Sequence, residues 1–179
     1  MRLDSVESLN RLRNESRQRL DARKKKIFVC LGPGCLAAGS DQILEEFNKL
    51  LAQENIKDYS LEAIKKTGCH GLCARGPIVV IEPEGIFYSK VKKNHVSQII
   101  EKTLKNGELI ESLLYSENGS KKKITDYRDI PFYANQYRIG LRNVGKIDPD
   151  EITDYIASGG YQALARVPVS YTHLRAHET

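Results

Sequence analysis

The chain has 179 residues, 40% hydrophobic and 28% charged, which suits one ordinary globular domain with part of a second and excludes a disordered chain. No apolar run approaches the roughly 18 residues that span a bilayer, and Arg2, Asp4 and Glu7 interrupt any apolar stretch of an N-terminal signal peptide. The net charge is +5, but residues 1–26 hold nine Lys/Arg against four Asp/Glu and the rest hold nineteen of each, which argues against a globally basic nucleic-acid binder.

Residues 1–26 predict one basic amphipathic helix. Leu3, Val6, Leu9 and Leu12 recur every three residues, Leu20 follows two turns later, and the segment ends in Arg23-Lys24-Lys25-Lys26. No aromatic residue is interleaved with these charges, so a solvated helix docking its thin stripe on a neighbour is favoured over nucleic-acid or membrane contact. Ile27-Phe28-Val29-Cys30 predicts a buried strand, and Leu31-Gly32-Pro33-Gly34-Cys35 a turn after it. Ser40 suits the N-cap of a helix whose core stripe is Ile43, Leu44, Phe47, Leu50 and Leu51. Alternation around residues 59–64 predicts a half-buried strand. A loop dense in Gly and Cys follows, then the β-branched run Ile78–Ile81, a turn at Pro83 and Gly85, and a returning strand Ile86–Tyr88, hence a hairpin. Asn94 and Gly107 bracket a last helix carrying Val96, Ile99, Ile100 and Leu104.

The order β-α-β-β-β-α over residues 27–106 predicts a small α/β sandwich of the thioredoxin type. Residues 113–123 are polar and Lys-rich and predict an exposed linker; Asp148-Pro149 opens a helix with Ile152, Tyr155 and Ile156, ended by Gly159-Gly160.

Four cysteines without a secretory signal point to metal or redox chemistry. Cys30 and Cys35 are separated by four residues, Cys69 and Cys73 by three, and each pair lies in a glycine-rich loop beside a predicted strand. Glycines let backbone N–H groups approach sulfur, which suits four thiolates on an inorganic cluster. A structural zinc site is the next reading, although both pairs lack its usual two-residue spacing. Disulfides leave the glycine loops unexplained, and a thioredoxin-type dithiol needs a C-x-x-C that is absent.

The motif Cys30-x4-Cys35 with Thr67-Gly68-Cys69-His70-Gly71-Leu72-Cys73-Ala74-Arg75-Gly76-Pro77 resembles the thioredoxin-like [2Fe-2S] ferredoxin domain found at the N-terminus of the flavin subunit of NADH dehydrogenases and NAD(P)-reducing hydrogenases. Pro131-Phe132-Tyr133, Leu141-Arg142-Asn143, Ile147-Asp148-Pro149 and Tyr155-Ile156-Ala157-x-Gly159-Gly160-Tyr161 resemble the start of the flavoprotein domain of that subunit. The resemblance implies that Cys30, Cys35, Cys69 and Cys73 ligate a [2Fe-2S] cluster that passes single electrons. It also implies a cis peptide at Gly76-Pro77. His70 is expected to lie outside the ligand shell, which four cysteines already complete, and Arg75 either to raise the cluster's potential or to be a solvated loop residue.

The resemblance implies these divisions: leader helix 1–26, ferredoxin domain 27–112, linker 113–131, a truncated start of an NADH/FMN domain 132–166, and a tail 167–179 without periodicity or resemblance, expected to be artefactual. His173 and His177 are accordingly poor metal ligands. FMN, NAD(P)H and a [4Fe-4S] cluster are expected only in a missing C-terminal part, so this fragment is not expected to oxidise NADH alone. The implied partners are other Fe–S, flavin or hydrogenase subunits of a multisubunit complex, with no nucleic acid and no direct membrane insertion. The implied compartment is bacterial or archaeal cytoplasm. The alternative is a thioredoxin-fold interaction or assembly module holding zinc or no metal.

Overall fold

The computed structural model describes residues 4–22, 25–53, 56, 59, 63–117 and 120–167. The chain divides into two units, one of residues 23–150 and one of residues 1–22 with 151–179. The predicted tail over 167–179, with His173 and His177, lies outside the described residues except for Val167, as does the Arg23-Lys24 part of the basic run.

The larger unit is built on a four-stranded sheet in the order β2-β1-β3-β4. Strand β1 (Lys26–Cys30) runs parallel to β2 (Ile64–Thr67) and antiparallel to β3 (Val79–Glu82), which pairs antiparallel with β4 (Ile86–Tyr88). The connection from β1 to β2 carries a short helix (Pro33–Ala37) and a long one (Ser40–Gln53). After the β3–β4 hairpin the chain forms a helix that is α over His95–Gln98 and widens to π register over Ile99–Lys105. Gly107, at φ +73°, closes that helix in the left-handed conformation a glycine C′ residue adopts. The β-α-β-β-β-α order expected from the sequence is thus the order found. Two details differ. The second strand is Ile64–Thr67, so of the strand expected around 59–64 only Ile64 lies in it and residues 60–62 lie outside the described residues, and the expected turn at residues 31–35 contains a helical turn with Pro33 at its start.

Both faces of the sheet are buried, as continuous apolar runs require. Ile27, Val29, Val79, Ile81, Ile86 and Tyr88 face the two long helices, packing on Ile43, Phe47, Val96 and Ile99. Phe28, Val80 and Phe87 face the other way, with Cys30 and Cys35. Something must cover that second face, and residues 113–133 do so. Tyr115, Ile130 and Tyr133 are buried against it, and Ile130 is fully enclosed. The segment also caps the β4 edge: Phe87 N donates to Thr125 O at 2.8 Å, Ser89 N to Leu113 O at 2.8 Å, and Tyr127 N to Gly85 O at 3.0 Å. The exposed linker expected over 113–123 forms only in part: Leu113, Leu114 and Tyr115 bury on apolar surface of the sheet, while Glu117 and Ser120–Lys123 are exposed. The unit also runs on to Asp150, so residues 132–150 pack within it.

A buried hydroxyl joins strand to helix. Tyr88 Oη donates to Thr103 Oγ1 (2.7 Å) and accepts from Ile110 N (3.1 Å), while Thr103 Oγ1 donates to Glu108 O (2.9 Å). Tyr88→Phe leaves the Ile110 N–H buried without an acceptor and is expected to cost about 1–3 kcal/mol. Urea unfolding checks this: the midpoint falls while the slope stays constant.

In the smaller unit, α1 (Val6–Ala22) packs on a helix at Ile152–Ala157, with Leu9, Ile156 and Ala157 buried. A final helix spans Gln162–Arg166, and Gln162 Nε2 donates to Asn10 Oδ1 at 3.4 Å. The helix expected over 1–26 is shorter than that because Lys26 already belongs to β1. No described helix is long and apolar enough to cross a membrane.

Candidate metal centre

All four cysteines sit at one end of the sheet, and the pairing of β1 with β2 explains why. The two strands are parallel and in register at Cys30 and Thr67, so the loops leaving them start side by side. Leu31 N donates to Thr67 O (2.9 Å) and Cys30 N to Ile78 O (3.0 Å), tying both loops and the start of β3 together. Cys30 ends β1, Cys35 lies on the helical turn after it, Cys69 follows β2, and Cys73 opens a 3₁₀ turn ending at Arg75. Cys30 and Cys35 are buried, Cys69 is half-buried and Cys73 is exposed.

Three glycines receive cysteine atoms where a larger residue would clash. A Cβ on Gly32 would lie 2.8 Å from Cys69 Cβ, one on Gly34 3.2 Å from Cys73 Cβ, and one on Gly76 2.7 Å from Cys35 Sγ. Each loop is thus shaped to admit the cysteines of the other. The Gly76-Pro77 peptide is cis, as expected from the sequence.

The thiols come together as two pairs. Cys69 Sγ and Cys73 Sγ are 3.5 Å apart, and Cys30 is bonded by the Cys35 side chain. Gly71 N donates to Cys69 Sγ at 3.3 Å, and Cys30 Sγ lies 3.5 Å from Gly68 O. Within the first pair the proton sits unequally: the hydrogen bond from Cys35 pulls the Cys30 thiol down to about 6 despite burial, while Cys35 moves up. Cys73 is likewise pushed up, first by its bond to Cys69. Among the described residues no three Cys, His, Asp or Glu side chains converge on a point that could hold a single ion. Two thiol pairs on facing glycine loops are what a centre of more than one metal atom would need, whereas a single tetrahedral zinc would need all four sulfurs at one point.

The second loop is held from outside by a strap the sequence reading assigned to another domain. Tyr133, on the helix Pro131–Ala134, donates its hydroxyl to His70 O (2.7 Å) and accepts from His70 Nδ1 (3.0 Å), which assigns the proton of the ring to Nδ1. A Cβ on Gly71 would lie 3.1 Å from the Phe132 ring, so Phe132 covers the loop directly. Gly145 N donates to Thr67 Oγ1 (2.8 Å), and Lys66 N to Asp148 Oδ2 (3.0 Å). His70 is buried, and its Nε2 has no hydrogen-bond partner among the described residues; burial, then the Arg138 charge, push its pKa down to about 4. His70 is thus a buried support of the loop rather than a surface histidine. Arg75 lies 5.3 Å over the Tyr115 ring, so it is not simply a solvated loop residue.

Tyr127 and Tyr133 are both pushed up to about 12, chiefly by burial; the Glu82 carboxylate adds to this at Tyr127, and Cys30 and Cys69 add at Tyr133. A raised phenol pKa means the folded state holds the proton longer. The stabilisation is therefore complete below the ordinary phenol value near pH 10 and is lost as pH rises towards 12. In an alkaline absorbance titration a tyrosine phase near pH 12 is expected, and Tyr133→Phe is expected to reduce its amplitude.

Of the residues in the site, sequence reasoning found the four cysteines and the glycine loops. It did not find Tyr133, Phe132, Gly145 or Asp148 as parts of it. The signals for them were the runs Pro131-Phe132-Tyr133 and Ile147-Asp148-Pro149, which resemble the start of a flavoprotein domain rather than part of a cysteine site.

The family model described as "Thioredoxin-like [2Fe-2S] ferredoxin" matches residues 17–104. A 2Fe-2S ferredoxin of Aquifex aeolicus is 36% identical over 104 residues, covering 54% of this chain and 93% of that protein. A 2Fe-2S ferredoxin of Clostridium pasteurianum is 36% identical over 99 residues, covering 50% of this chain and 94% of that protein. Among solved structures, the crystal structure of the wild-type thioredoxin-like [2Fe-2S] ferredoxin from A. aeolicus is similar at 33% identity with a TM-score of 0.47, covering 52% of this chain and 97% of that one. The family match ends before residues 113–150.

Proposed function

The chain belongs to the thioredoxin-like [2Fe-2S] ferredoxin family, and from that premise we propose that it transfers single electrons through a [2Fe-2S] cluster held by Cys30, Cys35, Cys69 and Cys73. The observation that carries this is the placing of two thiol pairs on facing loops whose glycines Gly32, Gly34 and Gly76 make way for Cys69, Cys73 and Cys35. When bound, the cluster supplies one-electron redox chemistry at accessible potentials.

The residues of the chain do the rest. Cys30 and Cys35 anchor the buried side, where Phe28, Val80 and Phe87 exclude water. Gly71 N–H donates to Cys69 sulfur, which favours added negative charge there. Cys73, exposed, marks the side from which a partner approaches. Tyr133 and Phe132 keep the Cys69–Cys73 loop in place.

A finer reading makes this the electron-transfer part of an NAD(P)H-linked oxidoreductase flavin subunit, in an NADH dehydrogenase or an NAD(P)-reducing hydrogenase. Its support is the motif series in residues 131–164, together with the packing of residues 131–148 against the second cysteine loop. On that reading FMN, NAD(P)H and a [4Fe-4S] cluster are held outside these residues, and the partners are flavin, Fe–S or hydrogenase subunits. Anaerobic titration of the purified chain tests both levels. Dithionite is expected to deliver one electron per cluster, and NADH to reduce the chain only when a flavoprotein is added. Rapid reduction by NADH alone contradicts the finer reading; a chain that accepts no electron contradicts the first.

A further inference from the structure

Beside the strap lies an open cleft of about 350 Å³, lined by Tyr127, Arg128, Tyr133, Arg138, Arg142 and Lys146 among others. Its volume is at the small end of the range for ligand sites. Arg128 is already engaged, since its Nε donates to both carboxylate oxygens of Asp126 at 2.8 Å. Arg138, Arg142 and Lys146 form no ion pair with a carboxylate among the described residues. The Arg138 guanidinium lies 4.1 Å from the Tyr133 ring centroid, and its Nε is buried without a hydrogen-bond partner among the described residues. Stacking on that ring orients the guanidinium while leaving it without an anionic partner.

Three cations without a carboxylate partner among the described residues line one small cleft, and residues 27–179 carry no net charge that would make this a matter of overall basicity. We propose that the cleft binds the diphosphate group of a nucleotide. Two guanidinium forks match phosphate oxygens bidentately and the Lys146 ammonium adds a point charge, so three cations meet a group carrying about three negative charges. Leu141, Val144 and the Tyr127 ring, which also line the cleft, offer the apolar contact that a nucleoside attached to the diphosphate needs. Free inorganic diphosphate shares this chemistry, and the nucleoside contact separates the two. The site goes beyond the electron-transfer reading and stands independently of it.

Titration calorimetry on the cluster-loaded full chain tests this with pyrophosphate, ADP and adenosine. Pyrophosphate and ADP are expected to bind below millimolar concentration, ADP more tightly, and adenosine not to bind. Arg138→Gln and Arg142→Gln are each expected to weaken ADP binding about tenfold, the loss of one charge-assisted hydrogen bond; Lys121→Gln, which removes a charge outside the cleft, leaves it unchanged. Absence of binding by both pyrophosphate and ADP overturns the proposal. So does ADP affinity unaltered in both arginine variants, or pyrophosphate binding more tightly than ADP. Arg142 is exposed, so its variant keeps the test informative if Arg138→Gln impairs folding. Iron content measured on the same samples keeps a failure here distinct from a failure of the cluster assignment.

Discussion

Gly32→Ala is expected to lower cluster content roughly tenfold or more while leaving the chain folded. The added methyl would meet Cys69 Cβ at 2.8 Å and Cys69 Cα at 3.1 Å, so relief requires moving the backbone of the second loop rather than rotating a side chain. Overpacking of this kind costs about 1–3 kcal/mol. The cost falls on the geometry that brings the two thiol pairs into register, because the first loop can relax only by separating from the second. Gly76→Ala is expected to act alike from the opposite side, at 2.7 Å from Cys35 Sγ. Gly140→Ala is the control: no atom lies within 4 Å of its Cβ, and cluster content is expected to match the wild type. Absorbance of the cluster per chain, measured after anaerobic reconstitution, reads all three. Full occupancy in both Gly32→Ala and Gly76→Ala would show that the glycines do not shape the site.

Tyr133→Phe is expected to speed cluster release to a chelator by about tenfold or more and to shift the midpoint potential. The hydroxyl serves two buried groups at once, donating to His70 O and accepting from His70 Nδ1. Its removal leaves a carbonyl and an N–H unpaired next to Cys69, each costing about 1–3 kcal/mol. The loop can recover those bonds only by opening towards water, which takes Cys69 with it. A role confined to general packing would lower unfolding stability without moving the potential or the EPR line shape. Unchanged potential and release rate in a folded Tyr133→Phe chain would remove Tyr133 from the site.

Much of this arrangement was legible in the sequence. Continuous apolar runs at 27–30, 78–81 and 86–88 predicted buried strands, and the cysteine spacing within Gly-rich loops predicted the centre. The same runs carried a further message that periodicity alone does not state: a strand apolar on both faces needs two covers, and the helices supply one. Residues 113–133 supply the other, although a polar, Lys-rich stretch at 116–123 disguises them as a linker. Strand β2 was misplaced for a related reason. Its sequence Ile64-Lys65-Lys66-Thr67 reads as exposed, yet Lys65 and Thr67 are buried where the strand sits against β1. Tyr133 was unreadable as a site residue because its partner, His70, lies 63 residues earlier, and only the tertiary fold brings them together.

The central claim, that four cysteines of this chain hold a two-iron cluster, is tested most directly by iron and acid-labile sulfide analysis of anaerobically purified protein, with EPR after dithionite reduction, on wild type and Cys69→Ser. About two irons and two sulfides per chain with a one-electron signal are expected for the wild type, and an altered or absent signal for Cys69→Ser. Stoichiometric zinc without iron, or a Cys69→Ser signal identical to that of the wild type, would contradict it.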